Sequence, residues 1–237
     1  MKKYLNHLLC QKRWQKVAIG ILGIFLMFCL VPQAYAVYQE HQQLKLKESW
    51  LDQGGIVRRN IYQETVDTID GIIESPVDEL NIAFRVFKVD KPKGIIQIVH
   101  GAGEYKDYYY DFTQFLVEHG YAVILSDNRG HGYSIDANNP SGYVSSIDDI
   151  VADQYAITRY IKEIYPDIPM TLYGHSFGSV IVRNYMMLHD EEIDKLIMEG
   201  TSHFIPMSKF GVFLGNIETF WRNPRASGGL LSFLCTF

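Results

Sequence analysis

The chain has 237 residues, 47% hydrophobic and 21% charged, which fits a globular protein with a sizeable core. The net charge of −5 is unevenly spread: residues 1–16 carry Lys2, Lys3, Lys12, Arg13 and Lys16 and no acid, so the remainder is strongly acidic, a balance that excludes nucleic-acid binding. The three cysteines, Cys10, Cys29 and Cys235, make no disulfide framework, and no Cys/His cluster has zinc-ligand spacing.

Residues 17–31 are uncharged and almost wholly apolar, and they follow the five positive charges. Ala34-Tyr35-Ala36 comes next, an A-x-A cleavage pattern, so residues 1–36 have the layout of a secretory signal peptide. The uncharged stretch nevertheless runs from Val17 to Gln39, long enough to cross a bilayer. Two readings therefore stand: a cleaved leader with a secreted domain, or a single membrane anchor with the basic end inside and the domain outside. Residues 37–70 read as a polar linker or stalk, with a short amphipathic helix around Leu44, Leu46, Trp50 and Leu51.

From residue 71 to 202 the pattern is that of an α/β core. Strands are expected at 72–73 and 81–89, joined near Pro76, and a turn at 90–94 leads to a buried strand at 95–99. A helix is expected over 108–119, with Phe112, Phe115, Leu116 and His119 on one face and Gly120 as its stop. A buried strand at 121–125 follows. Ser146 and Asp149 form a capping box for a helix whose buried face is Ile147, Ile150, Val151, Ile157, Ile161 and Ile164, ended by Pro166. Residues 170–173 read as a strand, 177–188 as a helix and 195–198 as a further strand. Alternation of this kind predicts a doubly wound, mostly parallel sheet covered on both faces.

Three short motifs sit at strand ends. Gly174-His175-Ser176-Phe177-Gly178 places a serine between a strand and a helix, the setting of a nucleophile elbow. The flanking Gly174 and Gly178 are required where side chains would strike the neighbouring strand and helix. His100-Gly101-Ala102-Gly103-Glu104 follows the strand at 95–99. Acyl transfer needs backbone N–H donors aimed at the developing oxyanion, and here these are assigned to Ala102 and Phe177, with His100 and Gly101 supporting the loop. The third motif, Asp127 to Ser134, reads as a tight structural loop held by side-chain hydrogen bonds.

Together these motifs resemble the monoacylglycerol lipase and lysophospholipase branch of the α/β-hydrolase superfamily, also described as serine aminopeptidase-like hydrolases. The family's H-G-x-G-E, R-G-H-G-x-S and G-H-S-x-G signatures stand at 100–104, 129–134 and 174–178. The resemblance implies a serine hydrolase of carboxylic esters with Ser176 as nucleophile, no metal or cofactor, and a small acyl-ester or lysolipid substrate; contact with a membrane is expected from the uncharged stretch at 17–39.

The chain departs from that pattern beyond Ser176. The family's order is Ser, Asp, His, yet no histidine follows His203. The available acids are Asp190, Glu191, Glu192, Asp194, Glu199 and Glu218, of which Glu199 ends a strand. Residues 203–237 are expected to begin a cap over the site, with apolar residues from Phe204 to Trp221, and to lack the last two strands and the triad histidine. An alternative function is therefore a non-catalytic hydrolase fragment or binding module. It is also expected that the strand at 195–198 stands as an open sheet edge.

Overall fold

A computed structural model describes residues 15–38, 58–201 and 208–221. The chain divides into two units, one holding the helices at 15–38 and 208–221, the other holding residues 58–201. The stretch expected as a short helix around Trp50 lies outside the described residues, as do Cys10, Cys235 and His203.

The larger unit is built on a seven-stranded sheet in the order β1-β2-β3-β5-β4-β6-β7. Its strands are β1 (Arg59–Glu64), β2 (Thr68–Glu74), β3 (Asn81–Phe87), β4 (Ile95–Val99), β5 (Ala122–Ser126), β6 (Met170–His175) and β7 (Lys195–Glu199). The four strands β5-β4-β6-β7 are parallel. The β1–β2–β3 meander joins them antiparallel through β3 and β5. Residues along β4 and β5 alternate between the two faces of the sheet. Ile95 and Ile124 pack with Phe84, Ile157 and Tyr160 of one cluster, whereas Ile96, Ile98, Val123 and Leu125 pack with Leu116 of another. The first face is covered by α3 (Ile147–Ile164), beside which lies α4 (Phe177–Tyr185); the second carries α2 (Tyr110–Glu118).

Three expectations are corrected here. Residues 59–64, read as part of the polar linker, form strand β1, whose residues are all exposed. A strand at a sheet edge with both faces in water carries no apolar alternation to betray it. The helix expected over 108–119 begins as a 3-10 turn at Lys106–Tyr109 and becomes α-helical only from Tyr110. Its inward residues are Thr113 and Leu116, while Phe112 and Phe115 are exposed. Finally, only half of the expected capping box forms: the Asp149 N–H donates to Ser146 Oγ at 3.1 Å, but the Asp149 carboxylate accepts from the Ser145 hydroxyl instead of returning to the cap.

Asp149 is diverted because a guanidinium lies beside it. Arg129 is fully buried and donates from Nε to Asp153 Oδ2 at 2.8 Å and from Nη2 to Ser75 Oγ at 2.9 Å. Asp78 lies 3.1 Å and Asp149 3.7 Å from its Nη1. One side chain thereby joins the β2–β3 turn to α3. Burial works against the Arg129 charge, but the surrounding carboxylates outweigh it and hold the group protonated. Burial also pushes Asp153 up to about 6, against the pull of Arg129 and the Ser75 hydroxyl.

The smaller unit contains α1 (Gln15–Tyr38), 24 residues and long and apolar enough to cross a membrane, and α5 (Ser208–Trp221). Within α1, Leu26–Leu30 is a π-helical segment, and the Val31 N–H donates to Leu26 O. Pro32 follows directly. Proline has no N–H to offer the preceding turn, and a π-bulge is one way a helix accommodates that loss without breaking.

Removing the guanidinium leaves buried carboxylates without their counter-charge. Arg129→Met should therefore destabilise the α/β unit by about 3–5 kcal/mol, measured by urea titration of the full chain in detergent. Because the folded Asp153 pKa is raised, its contribution to stability is full below the unfolded value near 4 and is lost as pH rises through about 6. In Arg129→Met that loss should extend to higher pH; an unchanged stability profile would show that the ion cluster is energetically neutral.

Candidate active site

Strand β6 ends at His175, and α4 begins at Phe177, leaving Ser176 as the single residue of the turn. Its backbone has φ 52° and ψ −116°, a conformation that costs a non-glycine residue on the order of 1–3 kcal/mol. The strain is held by neighbours. The Ser176 N–H donates to Glu199 O of β7 at 2.8 Å, and Ser179 Oγ donates to Ser176 O at 2.6 Å. The two motif glycines are sterically required. A Cβ on Gly178 would lie 2.1 Å from Val99 O, and one on Gly174 would lie 2.6 Å from Gly178 O. The Ser176 side chain itself is exposed, at the C-terminal ends of the parallel strands.

The loop after β4 is pressed against this turn: a Cβ on Gly101 would stand 3.1 Å from Ser176 Cβ. Glu104 fastens the loop. Its Oε2 accepts from the Gly101 N–H at 2.7 Å and from the Tyr109 hydroxyl at 2.7 Å, and His175 Nδ1 lies 3.4 Å from its Oε1. Burial alone would raise the Glu104 pKa, but these hydrogen bonds overcome it and hold the carboxyl below its ordinary range. Burial, together with the same carboxylate, pushes the Tyr109 hydroxyl far up, so it stays a donor.

His100 is locked beneath the loop. The Asn128 N–H donates to its Nε2 at 2.8 Å, which leaves Nδ1 to carry the proton donated to Gly101 O at 2.8 Å. Burial lowers the His100 pKa to about 4, so the ring is neutral at physiological pH. From Asn128 a chain of buried amides runs into the sheet. Gln154 Nε2 donates to Asn128 Oδ1 at 3.0 Å, and Gln97 Nε2 donates to Gln154 Oε1 at 2.8 Å.

The loop 127–134 has the structural part expected of it. Asp127 accepts from the Lys106 N–H and ammonium and from the Tyr133 N–H, all at 2.8–2.9 Å. A Cβ on Gly132 would lie 2.3 Å from the Asp127 carboxylate, which explains the glycine there. The site residues read from the sequence are thus drawn together: Ser176 and Phe177 at the elbow, Gly101 and Ala102 in the facing loop, His100, Gly174 and Gly178 beneath. As the first residue of α4, Phe177 has an N–H without an intrahelical acceptor. Glu199 directs its carboxylate to the Tyr173 hydroxyl, and Glu192 pairs with Lys162 at 2.7 Å. Among the described residues, His100 bonds to Gly101 O and the Asn128 N–H, His131 to Arg129 O and His175 to Glu104, and none of these bonds reaches the Ser176 hydroxyl. Tyr109 and Tyr173 were missed by sequence reasoning. No spacing rule links them to Glu104 and Glu199, which they meet only through the fold.

Two outcomes follow from this geometry. Gly178→Ala should force α4 off β4 and lower stability far more than Gly103→Ala, where there is open space and only a φ of 73° to resist the side chain. Equal denaturation midpoints for the two variants would contradict the close-approach account. For His100 the folded pKa is lowered, so its stabilising contribution is present above the unfolded value near 6.5 and is lost as pH falls toward 4. An imidazole NMR titration should find that ring neutral at pH 5.5.

Residues 90–227, more than half of the chain, match the family model described as serine aminopeptidase, S33. Over 92 residues the chain is 35% identical to a monoglyceride lipase homolog of Monkeypox virus, covering 38% of this chain and 32% of that protein. It is 33% identical over 90 residues to the monoglyceride lipase of Rattus norvegicus (38% and 29%), and 30% identical over 95 residues to phospholipase YtpA of Bacillus subtilis (40% and 35%). Each match thus spans about a third of the relative's own length. Among solved structures, a thermostable carboxyl esterase from Bacillus coagulans superposes with a TM-score of 0.62 at 29% identity, covering 72% of this chain and 55% of that one. The fold, the three loop motifs and the family match agree: the chain belongs to the serine aminopeptidase S33 family of α/β-hydrolases, alongside monoglyceride lipases and lysophospholipases.

Proposed function

We propose that Ser176 is the nucleophile of a carboxylic-ester hydrolase acting on lipid esters of the monoacylglycerol or lysophospholipid class. The observation that carries this reading is the strained Ser176 backbone, held at the N-terminus of α4 with the Gly101 loop against its side chain. In the proposed reaction Ser176 Oγ attacks the ester carbonyl, and its proton passes through water to the alkoxide that departs. The carbonyl oxygen becomes an oxyanion that accepts from the Phe177 and Ala102 N–H groups. The alcohol leaves, and water then hydrolyses the acyl-serine. The positive end of the α4 dipole favours the same oxyanion. The substrate class is supported by the monoglyceride lipases and phospholipase among the relatives, and by the apolar helix α1, which suits an enzyme working at a lipid surface.

A second reading rests on a specific observation. Among the described residues, the hydrogen bonds of His100, His131 and His175 do not reach the Ser176 hydroxyl, so the elbow is equally suited to a non-catalytic module of hydrolase descent. A fluorophosphonate probe separates the two. Under the first reading the label resides on the peptide containing Ser176 and disappears in Ser176→Ala. A serine without a positioned imidazole is a poor nucleophile, so the labelling expected of the wild-type chain is weak. Labelling that persists in the alanine variant refutes the nucleophile assignment. A wild-type chain that is folded yet never labelled establishes the non-catalytic reading.

A further inference from the structure

The sequence leaves α1 open as a cleaved leader or a retained anchor, and the contacts within the smaller unit bear on that choice. Between Val17 and Tyr38 the one side-chain amide is Gln33. Its two polar ends are both engaged by α5: Gln33 Nε2 donates to Phe213 O at 3.0 Å, and Asn216 Nδ2 donates to Gln33 Oε1 at 2.8 Å. Aromatic contacts flank this pair. Phe28 stacks on Trp221 with ring centroids 4.7 Å apart, and Tyr35 meets Phe220 edge-on at 5.5 Å. Pro32, next to Gln33, is buried, whereas most of α1 is exposed. An amide in hydrocarbon is costly unless it finds a partner, and interhelical side-chain hydrogen bonds of this kind join helices in membranes.

We infer that α1 is retained in the mature protein and that α5 is its partner, forming a two-helix membrane anchor fastened by Gln33. The inference extends the reading of α1 as a membrane segment. Cleavage after Ala36 would remove Phe28, Gln33 and Tyr35, leaving Asn216, Phe220 and Trp221 without these contacts. The Ala34–Ala36 site also lies inside a helix that continues to Tyr38, whereas a peptidase reads its substrate extended. The uncharged part of α5, residues 210–217, is too short to span a bilayer by itself, at a rise of about 1.5 Å per residue. Its contacts fall on residues 28–35, in the C-terminal half of α1. Phe210, Val212 and Trp221 of α5 are apolar and exposed, as is most of α1, and Tyr35 and Tyr38, at the C-terminal end of α1, suit the aromatic level of a membrane interface. The occupant of that surface is therefore lipid, with α5 packed in the outer half of the bilayer beside residues 28–35 of α1.

The test uses the full chain in membranes. The expected result is a protein of intact mass, residues 1–237, that stays in the pellet after a carbonate wash; a mature N-terminus at Val37 overturns the inference. In a background with Cys10, Cys29 and Cys235 replaced by serine, Phe28→Cys and Trp221→Cys should be joined by a short bifunctional thiol reagent. Gln33→Leu and, separately, Asn216→Leu should each lower that yield about threefold or more. A yield that neither substitution moves removes Gln33 as the fastening. With Trp14 and Trp50 replaced by phenylalanine, Trp221 emission should be quenched by brominated phosphatidylcholine and not by aqueous iodide. The opposite quenching pattern refutes the membrane position of α5. None of these readouts involves Ser176, so they stand or fall separately from the proposed activity.

Discussion

The site depends on how closely helix α4 approaches strand β4. The backbone at Gly178 passes Val99 O so tightly that a methyl group would have to share its space. Two main chains at that distance fix the angle at which α4 leaves β6, and the turn between them must absorb the change of direction in one residue. Ser176 is that residue, which is why it carries a positive φ. The same approach brings the end of β4, and with it Gly101, against the serine. A single steric constraint therefore sets the elbow, its strain and its facing loop.

A strained turn persists only where its surroundings over-determine it. Here the surroundings are polar and buried. Below the facing loop, His100, Asn128, Gln154 and Gln97 form a continuous chain of hydrogen bonds, and beside it Asp127 gathers three donors onto one carboxylate. Such networks stabilise little in net terms but are costly to break halfway, because each member leaves another unsatisfied in a low dielectric. The Arg129 cluster follows the same logic with full charges. It ties the β2–β3 turn to α3, and it keeps three carboxylates in place that would otherwise repel one another.

The two-helix unit solves a different problem with related chemistry. Pro32 removes one backbone donor from α1, and the π-helical segment before it re-routes the hydrogen bonds. Gln33 then introduces a side-chain amide into an apolar surface, and α5 answers it with a carbonyl and a second amide. In both units, polar groups removed from water are matched by partners from another element, which makes the pairing specific.

How much of this was legible in the sequence follows from the range of the forces involved. Buried strands such as 95–99 and 170–173 announced themselves as short apolar runs, and the glycines at 174 and 178 as the mark of a close approach. Strand β1 did not, because an exposed edge strand is recognised by its ladder and not by its side chains. The face of α2 was misjudged since Phe112 and Phe115 share a helical spacing with the residues that are inward, Thr113 and Leu116, offset by one position. The sequence by itself determined the order of the elements after β1, the elbow turn and the loop motifs, because these depend on local backbone conformation and on residues a few positions apart. Only the tertiary structure decided that Glu104 would meet Tyr109 and Gly101, that Arg129 would collect Asp78, Asp149 and Asp153, and that Gln33 would pair with Asn216. Those partners are brought together by folding, and hydrogen bonds of about 3 Å leave no trace in the spacing of residues far apart along the chain.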